Sequence, residues 1–534
     1  MDTHKAIALA LMVCFTHALP LHAEAGRSEF ERWKQQESTE FKEYRDKRDQ
    51  EFTLFLKNNW KEMQTFQGLV RDEKPKPLAI PVAPNVAPVS TTPAPGKAPE
   101  PDRLAVPEAI APDKSPTAET SPEQGGSIRS DGTETGVIFI PLAIPLVTVP
   151  PIDTGPRLPK VAPAAVAELP RGKTVELVFY GQPLRFTYDP ALKVKMPSRI
   201  DGQNISNHWS ALSLADYEPL LKQIEAQRVP LQLNDWGYAL LTHELASKIF
   251  PGSKNDQALL TWFIMVKAGY KARIAYDISR VYLLMPTQQQ IYATAYFTFD
   301  NQRYYALGLN GNKDKLDRVF TYDGNYPGAS KVLDMRLDKS LNTARKDKFK
   351  TVDFSYAGKK YKVKLDTDDE TVAYLQTYPQ MDINLYFSAE VNRATAHPLL
   401  LQLKPLVQGK SEHDAVNLLL RFVQTAFPYK TDEQQFGIEN YLFPEETLYY
   451  PYSDCEDRSV LFAWLVKSLV SLDVVGLDYP GHVATAVQFN EKVSGDSVMH
   501  NGKRYVVTDP TYINASVGMA MPEFKNERPK IIVF

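Results

Sequence analysis

From about Asp72 to Leu169 the sequence is built of proline, alanine and small polar residues, a composition that cannot bury a core. This stretch cuts the chain into a short N-terminal part and a long C-terminal part. It draws on a total of 40 prolines in 534 residues and predicts an extended linker over residues 73–169. Within it Val137–Val149 (VIFIPLAIPLVTV) is apolar, but its prolines forbid a spanning helix. An edge strand, or an apolar strap lying on a domain surface, is what such a run can form. The rest of the chain is globular in composition, with 43% hydrophobic and 23% charged residues overall. Its length implies two or three domains. A net charge of −3 gives no electrostatic reason to expect nucleic acid or an anionic membrane as partner.

The first residues, MDTHKAIALALMVCFTHALPLHAEA, place one lysine before an apolar run and end on small-x-small Ala23-Glu24-Ala25. That pattern predicts a signal peptide over 1–25, hence export to the periplasm or beyond the cell. His17 and Pro20 interrupt the run short of a membrane span, so the mature chain is expected to have none. Of the two cysteines, Cys14 leaves with the signal peptide and Cys455 remains. No internal disulfide is then available, and the single thiol is either inertly buried or used.

Residues 28–66 repeat every eleven positions as Glu29-Phe30, Glu40-Phe41, Glu51-Phe52 and Glu62-Met63, each followed by Trp33, Tyr44, Phe55 or Phe66. An eleven-residue period, about 3.67 residues per turn, keeps both rows on one face of a straight helix. A helix over 26–72 is predicted. Its aromatic stripe calls for a partner: the chain's own globular part, a second copy or another protein.

Beyond residue 170 one unit reads as written twice, over 170–348 and 349–534. VELVFYGQPLRFTYD and VDFSYAGKKYKVKLD are matching hairpins whose Gly181 and Gly358 lie 177 residues apart. Phe250-Pro251 and Phe427-Pro428 end the following helices at the same offset. The second copy then gains a long loop, DEQQFGIENYLFPEETLYYPYS. An apolar helix follows in each copy, Asp256-QALLTWFIMV and Asp457-RSVLFAWLV, and then strands in which Ala-Thr-Ala and Arg-Tyr recur in order. The fold class this implies is α+β, two tandem domains preceded by a long helix and a linker.

Cys455 lies in YPYSDCEDRSVLFAWLV. Ser453 and Glu456 read as a capping box that would place Cys455 second in its helix, where free N–H groups favour a thiolate. Asp454, Glu456 and Asp457 oppose this by like-charge repulsion, so an imidazolium is needed nearby. His482 opens the strand HVATAVQF, and Asp509 ends the strand RYVVTDPTY. In this arrangement the thiolate attacks an acyl carbon, His482 shuttles the proton, and Asp509 orients the ring. The oxyanion would be held by the Cys455 backbone N–H and a second donor, Gln434, Gln435 or a loop tyrosine. Tyr449, Tyr450 and Tyr452 are candidates for walling the cleft. Asp432, Glu433, Glu439, Glu445 and Glu446 could hold a calcium ion but lack a recognised ligand spacing, and solvated loop charge is the simpler reading. With no Cys or His cluster, no zinc site is expected, and no metal or other cofactor is required.

Cys455 with Asp457 opening a helix, Gly481-His482 opening a strand, and Asp509-Pro510-Thr511-Tyr512 together resemble the transglutaminase-like superfamily, in particular the bacterial transglutaminase-like cysteine proteinases. The resemblance covers residues 398–517. It implies a papain-like α+β core and acyl transfer through a thioester, to water or to an amine. In the first copy the shared Asp256/Asp457 register puts Lys254 at the cysteine position, Ala-Thr-Ala puts Ile291 at the histidine, and Arg-Tyr puts Gly308 at the aspartate. That copy is expected to be inert. The expectation for the whole chain is an exported thiol hydrolase acting on protein or peptide. The alternatives are a transglutaminase or other amine-acceptor acyltransferase, and a non-catalytic adaptor on the same fold.

Overall fold

The computed structural model describes residues 21–69, 76, 79–84, 172–309, 316 and 318–534. Most of the expected signal peptide and the apolar run Val137–Val149 lie outside them. The protein is a mixed helix-and-sheet structure, as its patterning predicts.

Helix α1 (Leu21–Asn58) carries the eleven-residue repeat and is followed by β1 (Lys61–Gln64). The predicted helix over 26–72 therefore stops fourteen residues early, and Glu62-Met63 fall on a strand. Tertiary packing overrides the repeat here: the Trp60 indole donates to Ser206 Oγ at 3.3 Å and packs edge-on against Tyr276 and Tyr322. The aromatic stripe is divided. Phe52 and Leu56 are buried in the chain's own core, Phe52 edge-on to Trp209 with ring centroids 4.8 Å apart. Phe30, Trp33 and Tyr44 stay more than half exposed. Phe30→Ser or Trp33→Ser should accordingly leave the unfolding free energy of the full chain within ~0.5 kcal/mol of wild type, as denaturant titration would read it.

The first half continues with the hairpin β2 (Lys173–Phe179) and β3 (Gln182–Tyr188). Helices α2 (Gly202–Leu214), α3 (Glu218–Glu225), α4 (Arg228–Leu231), α5 (Asp235–Ile249) and α6 (Lys254–Lys267) follow. Then come β4 (Arg273–Tyr276), β5 (Val281–Pro286), β6 (Tyr296–Phe299), β7 (Gln302–Ala306) and β8 (Arg318–Thr321). The second half opens on the hairpin β9 (Asp347–Tyr356) and β10 (Lys359–Asp368). Its helices are α7 (Asp369–Leu375), α8 (Ile383–Phe387), α9 (Arg393–Val407), α10 (Glu412–Ala426), α11 (Asp432–Phe436), α12 (Pro444–Tyr449) and α13 (Cys455–Leu469). Its strands are β11 (Val474–Tyr479), β12 (His482–Val487), β13 (Ser497–His500), β14 (Lys503–Thr508) and β15 (Lys530–Ile532).

Both hairpins turn on a residue pair with positive φ, Tyr180-Gly181 at 45° and 79° and Ala357-Gly358 at 49° and 74°. This is the type I′ geometry that matches strand twist. A side chain at Gly181 would also strike the Ala344 carbonyl oxygen at 2.7 Å. The two large sheets run in one order, β6-β7-β5-β4-β8 with β1 added at its edge, and β13-β14-β12-β11-β15. Every pairing in them is antiparallel.

The halves share an apolar core and are tied by partly buried polar contacts. Trp236 Nε1 donates to Thr377 Oγ1 at 2.9 Å, and Tyr374 donates to Asn234 at 2.9 Å. The expected linker is anchored at its start. Val82 bridges Ile513 in parallel, and Ile513 N–H donates to the Pro81 carbonyl at 2.9 Å. Ala83 is buried beside Tyr512, Ala515 and Met521. A few apolar residues among prolines are enough to dock an extended segment, because proline pre-pays backbone entropy. No helix among the described residues is long and apolar enough to cross a membrane.

Candidate active site

Cys455 is the first residue of α13, and its side chain is fully buried. The helix is capped one residue later than the sequence pattern predicts. Asp454 is the N-cap, and Asp457 Oδ2 returns to the Asp454 N–H at 3.2 Å. Ser453 does not cap, because its hydroxyl accepts from Arg458 Nε at 3.1 Å. Cys455 is thus at the first helical position rather than the second, still among N–H groups that no helical carbonyl reaches. Arg458 is itself fully buried and also donates to the carbonyls of Gln424 and Phe427.

His482 and Asp509 meet. The ring Nε2 lies 2.9 Å from Asp509 Oδ2, and both residues are buried. Asp509 Oδ1 accepts from the N–H groups of Thr511 and Tyr512 at 2.9 and 3.1 Å, which fixes the carboxylate at the strand end. Phe524 stacks on the imidazole with ring centroids 5.0 Å apart and holds its plane. His482 Nδ1 is buried and has no hydrogen-bond partner among the described residues. Burial works against the charged ring, but the Asp509 charge and hydrogen bond outweigh it and raise its pKa.

One helical turn beyond Cys455, the Ser459 hydroxyl donates to the Val483 carbonyl at 2.9 Å, which lays the start of α13 along the His482 end of β12. The thiol itself donates to Glu456 Oε2 at 2.9 Å and makes no hydrogen bond to the imidazole. Its pKa is pushed well up by burial and then by the charges of Glu456 and Asp454.

Those charges are met by a residue from the linker. Lys76 Nζ lies 2.6 Å from Asp454 Oδ2, 2.7 Å from Glu439 Oε1, 3.0 Å from Glu456 Oε2 and 3.4 Å from Asp432 Oδ2. Burial would lower the lysine's pKa, but Glu456, Asp454 and Asp432 hold it well above the usual range. Burial likewise opposes ionisation of Glu456, yet Lys76 and the Cys455 hydrogen bond hold its pKa down to about 2. Asp454 is raised by burial and by Glu456 to about 7. Asp457 is raised well above the usual range by burial and by Asp454.

The five loop carboxylates weighed against a calcium ion do not gather at one point. Asp432 and Glu439 meet at Lys76, whereas Glu433 is exposed. Glu445 accepts from Asn392 N–H at 2.9 Å, and Glu446 from Phe443 N–H at 3.1 Å. Carboxylate oxygens of Asp432, Asp454 and Asp457 do lie within 4.8 Å of one another. Asp457 answers the N–H groups of Leu442 and Asp454, and the other two face the Lys76 ammonium. Burial pushes Glu446 from its ordinary 4.5 up to about 8. Between those values the unfolded chain binds fewer protons than the folded one, so this group's contribution falls as pH rises. Glu446→Gln keeps the acceptor and should raise Tm at pH 8 by at least ~2 °C, with little change at pH 5, in a thermal scan.

Of the oxyanion candidates, Gln434 caps its own helix, with Oε1 accepting from Thr431 N–H at 3.3 Å. Gln435 has both amide atoms buried and unpartnered among the described residues. Tyr449 donates to Asp369 Oδ1 at 2.9 Å and Tyr450 bonds Gln376, so both tie α12 to α7. Tyr452 lies under Lys430 Nζ, 3.9 Å from the ring centroid. The tyrosine coupled to the thiol is instead Tyr429, whose pKa burial raises first and the charges of Cys455, Asp454 and Glu456 raise further. Tyr429, Phe524 and Lys76 escaped sequence reasoning.

The first half has the same frame with other residues. Lys254 is the first residue of α6, as Cys455 is of α13, and Asp256 is its N3 acid. Pairing registers correct the remaining equivalences. Tyr276 pairs with Val281 as Tyr479 pairs with His482, so the histidine position is Val281 rather than Ile291. Leu284 pairs with Ala306 as Thr485 pairs with Thr508, so the aspartate position is Leu307 rather than Gly308. Lys254, Val281 and Leu307 line one small open cleft of about 70 Å³. Comparison with protein-family models, curated proteins and solved structures finds no match to the chain.

Proposed function

We propose that the protein is an exported, transglutaminase-like thiol enzyme that hydrolyses amide bonds in protein or peptide through a thioester on Cys455. The observation that carries this reading is the buried His482–Asp509 pair, 2.9 Å apart, with Nδ1 left unpartnered beside the strand that carries the start of α13. A carboxylate that fixes one ring nitrogen sets the tautomer and makes the other the working base.

The thiol exchanges its bond to Glu456 for one to His482 by rotation about χ1. His482 takes the proton, and Sγ forms a bond to the acyl carbon. The oxyanion is held by the Cys455 N–H and by the Gln435 amide, whose atoms are buried without a partner among the described residues. The imidazolium returns the proton to the leaving amine as the carbon–nitrogen bond breaks. Water, deprotonated by His482, then attacks the thioester and releases the acid, and the thiol is re-formed. The two halves are read as copies of one papain-like unit, the first inert because Lys254, Val281 and Leu307 hold the three catalytic positions.

The test is turnover of a quenched peptide-amide library with and without an added primary amine. Release of carboxylic acid that is lost in Cys455→Ala supports hydrolysis. Incorporation of the amine in place of water moves the reading to a transglutaminase. No Cys455-dependent product of either kind sinks both and leaves an adaptor.

A further inference from the structure

The acidic start of α13 poses a problem for any thiol chemistry. Asp454 and Glu456 flank Cys455 in sequence, both are buried, and Glu456 receives the thiol proton. Two buried anions beside a thiol oppose its ionisation, and buried carboxylates need a counter-charge to stay ionised. Within the described structure the cation that meets both of them is Lys76, which comes from 378 residues earlier in the chain. Its Nζ lies over the face of Tyr441, 5.7 Å from the ring centroid, and the side chain is 10% exposed. The segment carrying it is held at a second point, where Pro81–Ala83 runs along Ile513, four residues beyond Asp509. The linker therefore grips the two sides of the site, one through an ion pair and the other through backbone hydrogen bonds.

We propose that Lys76 is a positioning residue of the thiol site: a cation delivered in cis that offsets the carboxylates of Asp454 and Glu456 and so eases removal of the Cys455 proton by His482. The inference rests on Cys455 acting as the nucleophile. With Lys76 in place Glu456 is committed to the ammonium at 3.0 Å, which weakens its hold on the thiol proton. Without it, either carboxylate that stays ionised acts on the thiol unopposed. The linker thereby becomes part of the active site, and the acidic DCED motif works because a distant segment completes it.

The experiment uses the full chain and iodoacetamide as the probe, with the rate of Cys455 alkylation followed against pH by intact mass. Lys76→Met keeps the stem and removes the charge, Lys76→Gln is a second neutral variant, and Lys76→Arg restores the charge. Expected for the neutral variants is an upward shift of the alkylation midpoint by about one pH unit or more, seen as at least a ~10-fold lower rate at pH 7. Lys76→Arg should recover most of the rate. An unchanged midpoint, or faster alkylation in the neutral variants, would overturn the proposal and make the segment a mere cover. If neither neutral variant folds by circular dichroism, the lysine is a structural strut and the proposal also fails. A wild-type chain that does not alkylate at any pH sinks the nucleophile reading itself, an outcome distinct from all of these.

Discussion

In the His482→Ala chain, alkylation of Cys455 at neutral pH is expected to slow by about 10²–10⁴-fold, the range a positioned acid–base partner supplies. The size follows from the surroundings of the thiol. Burial, Glu456 and Asp454 all push its pKa up, so thiolate is scarce unless a base takes the proton. His482 is the base the fold offers, with Asp509 and Phe524 fixing the ring. Asp509→Asn should lose a large part of the same rate, because an amide that donates to Nε2 forces the proton onto Nδ1, the nitrogen needed as acceptor. The measurement is the alkylation rate by intact mass, with Cys455→Ala as the blank. Equal rates in wild type and His482→Ala would remove the imidazole from the chemistry.

Arg458→Met is expected to cost about 3–5 kcal/mol of stability, because three buried acceptors lose their donor at about 1–3 kcal/mol each. The guanidinium is fully buried at the fourth position of α13 and binds the Ser453 hydroxyl and the carbonyls of Gln424 and Phe427. Burial lowers its pKa to about 10, against the pull of Tyr429, Asp454 and Asp457. Its loss strands those acceptors and leaves the carboxylates with Lys76 alone. Denaturant titration of the full chain reads the cost. A change below ~1 kcal/mol would mean that water replaces the guanidinium without penalty.

The three residues proposed to react were legible because each sits at or beside the end of an element, where caps and turn residues leave marks in the sequence. A helix that starts on a cysteine and strands that start on histidine and end on aspartate are local patterns, and the fold adds the His482–Asp509 contact to them. The cap was misread by one residue because Ser453 has a competing partner in Arg458, five residues away. The Ala-Thr-Ala match between the halves misled for a different reason. In the first half Ala293-Thr294-Ala295 precedes β6 and lies in no strand, so the shared tripeptide marks no common register, whereas hydrogen-bond pairing does. By pairing, Val281 and Leu307 occupy the positions equivalent to His482 and Asp509. The division of the α1 stripe was illegible because an amphipathic face states only that it can be covered, and the chain covers Phe52 but not Phe30. Lys76 was hidden most completely. An ion pair between residues hundreds of positions apart has no periodicity, and a lysine among prolines looks like any solubilising charge.

The most direct test of the central claim is to expose the full chain to a small activated ester such as p-nitrophenyl acetate, quench in acid and map the adduct by mass spectrometry. A single acetyl group on Cys455, formed in wild type, absent in Cys455→Ala and strongly reduced in His482→Ala, is the predicted result. Acetylation confined to lysines, or equal in wild type and His482→Ala, would contradict it.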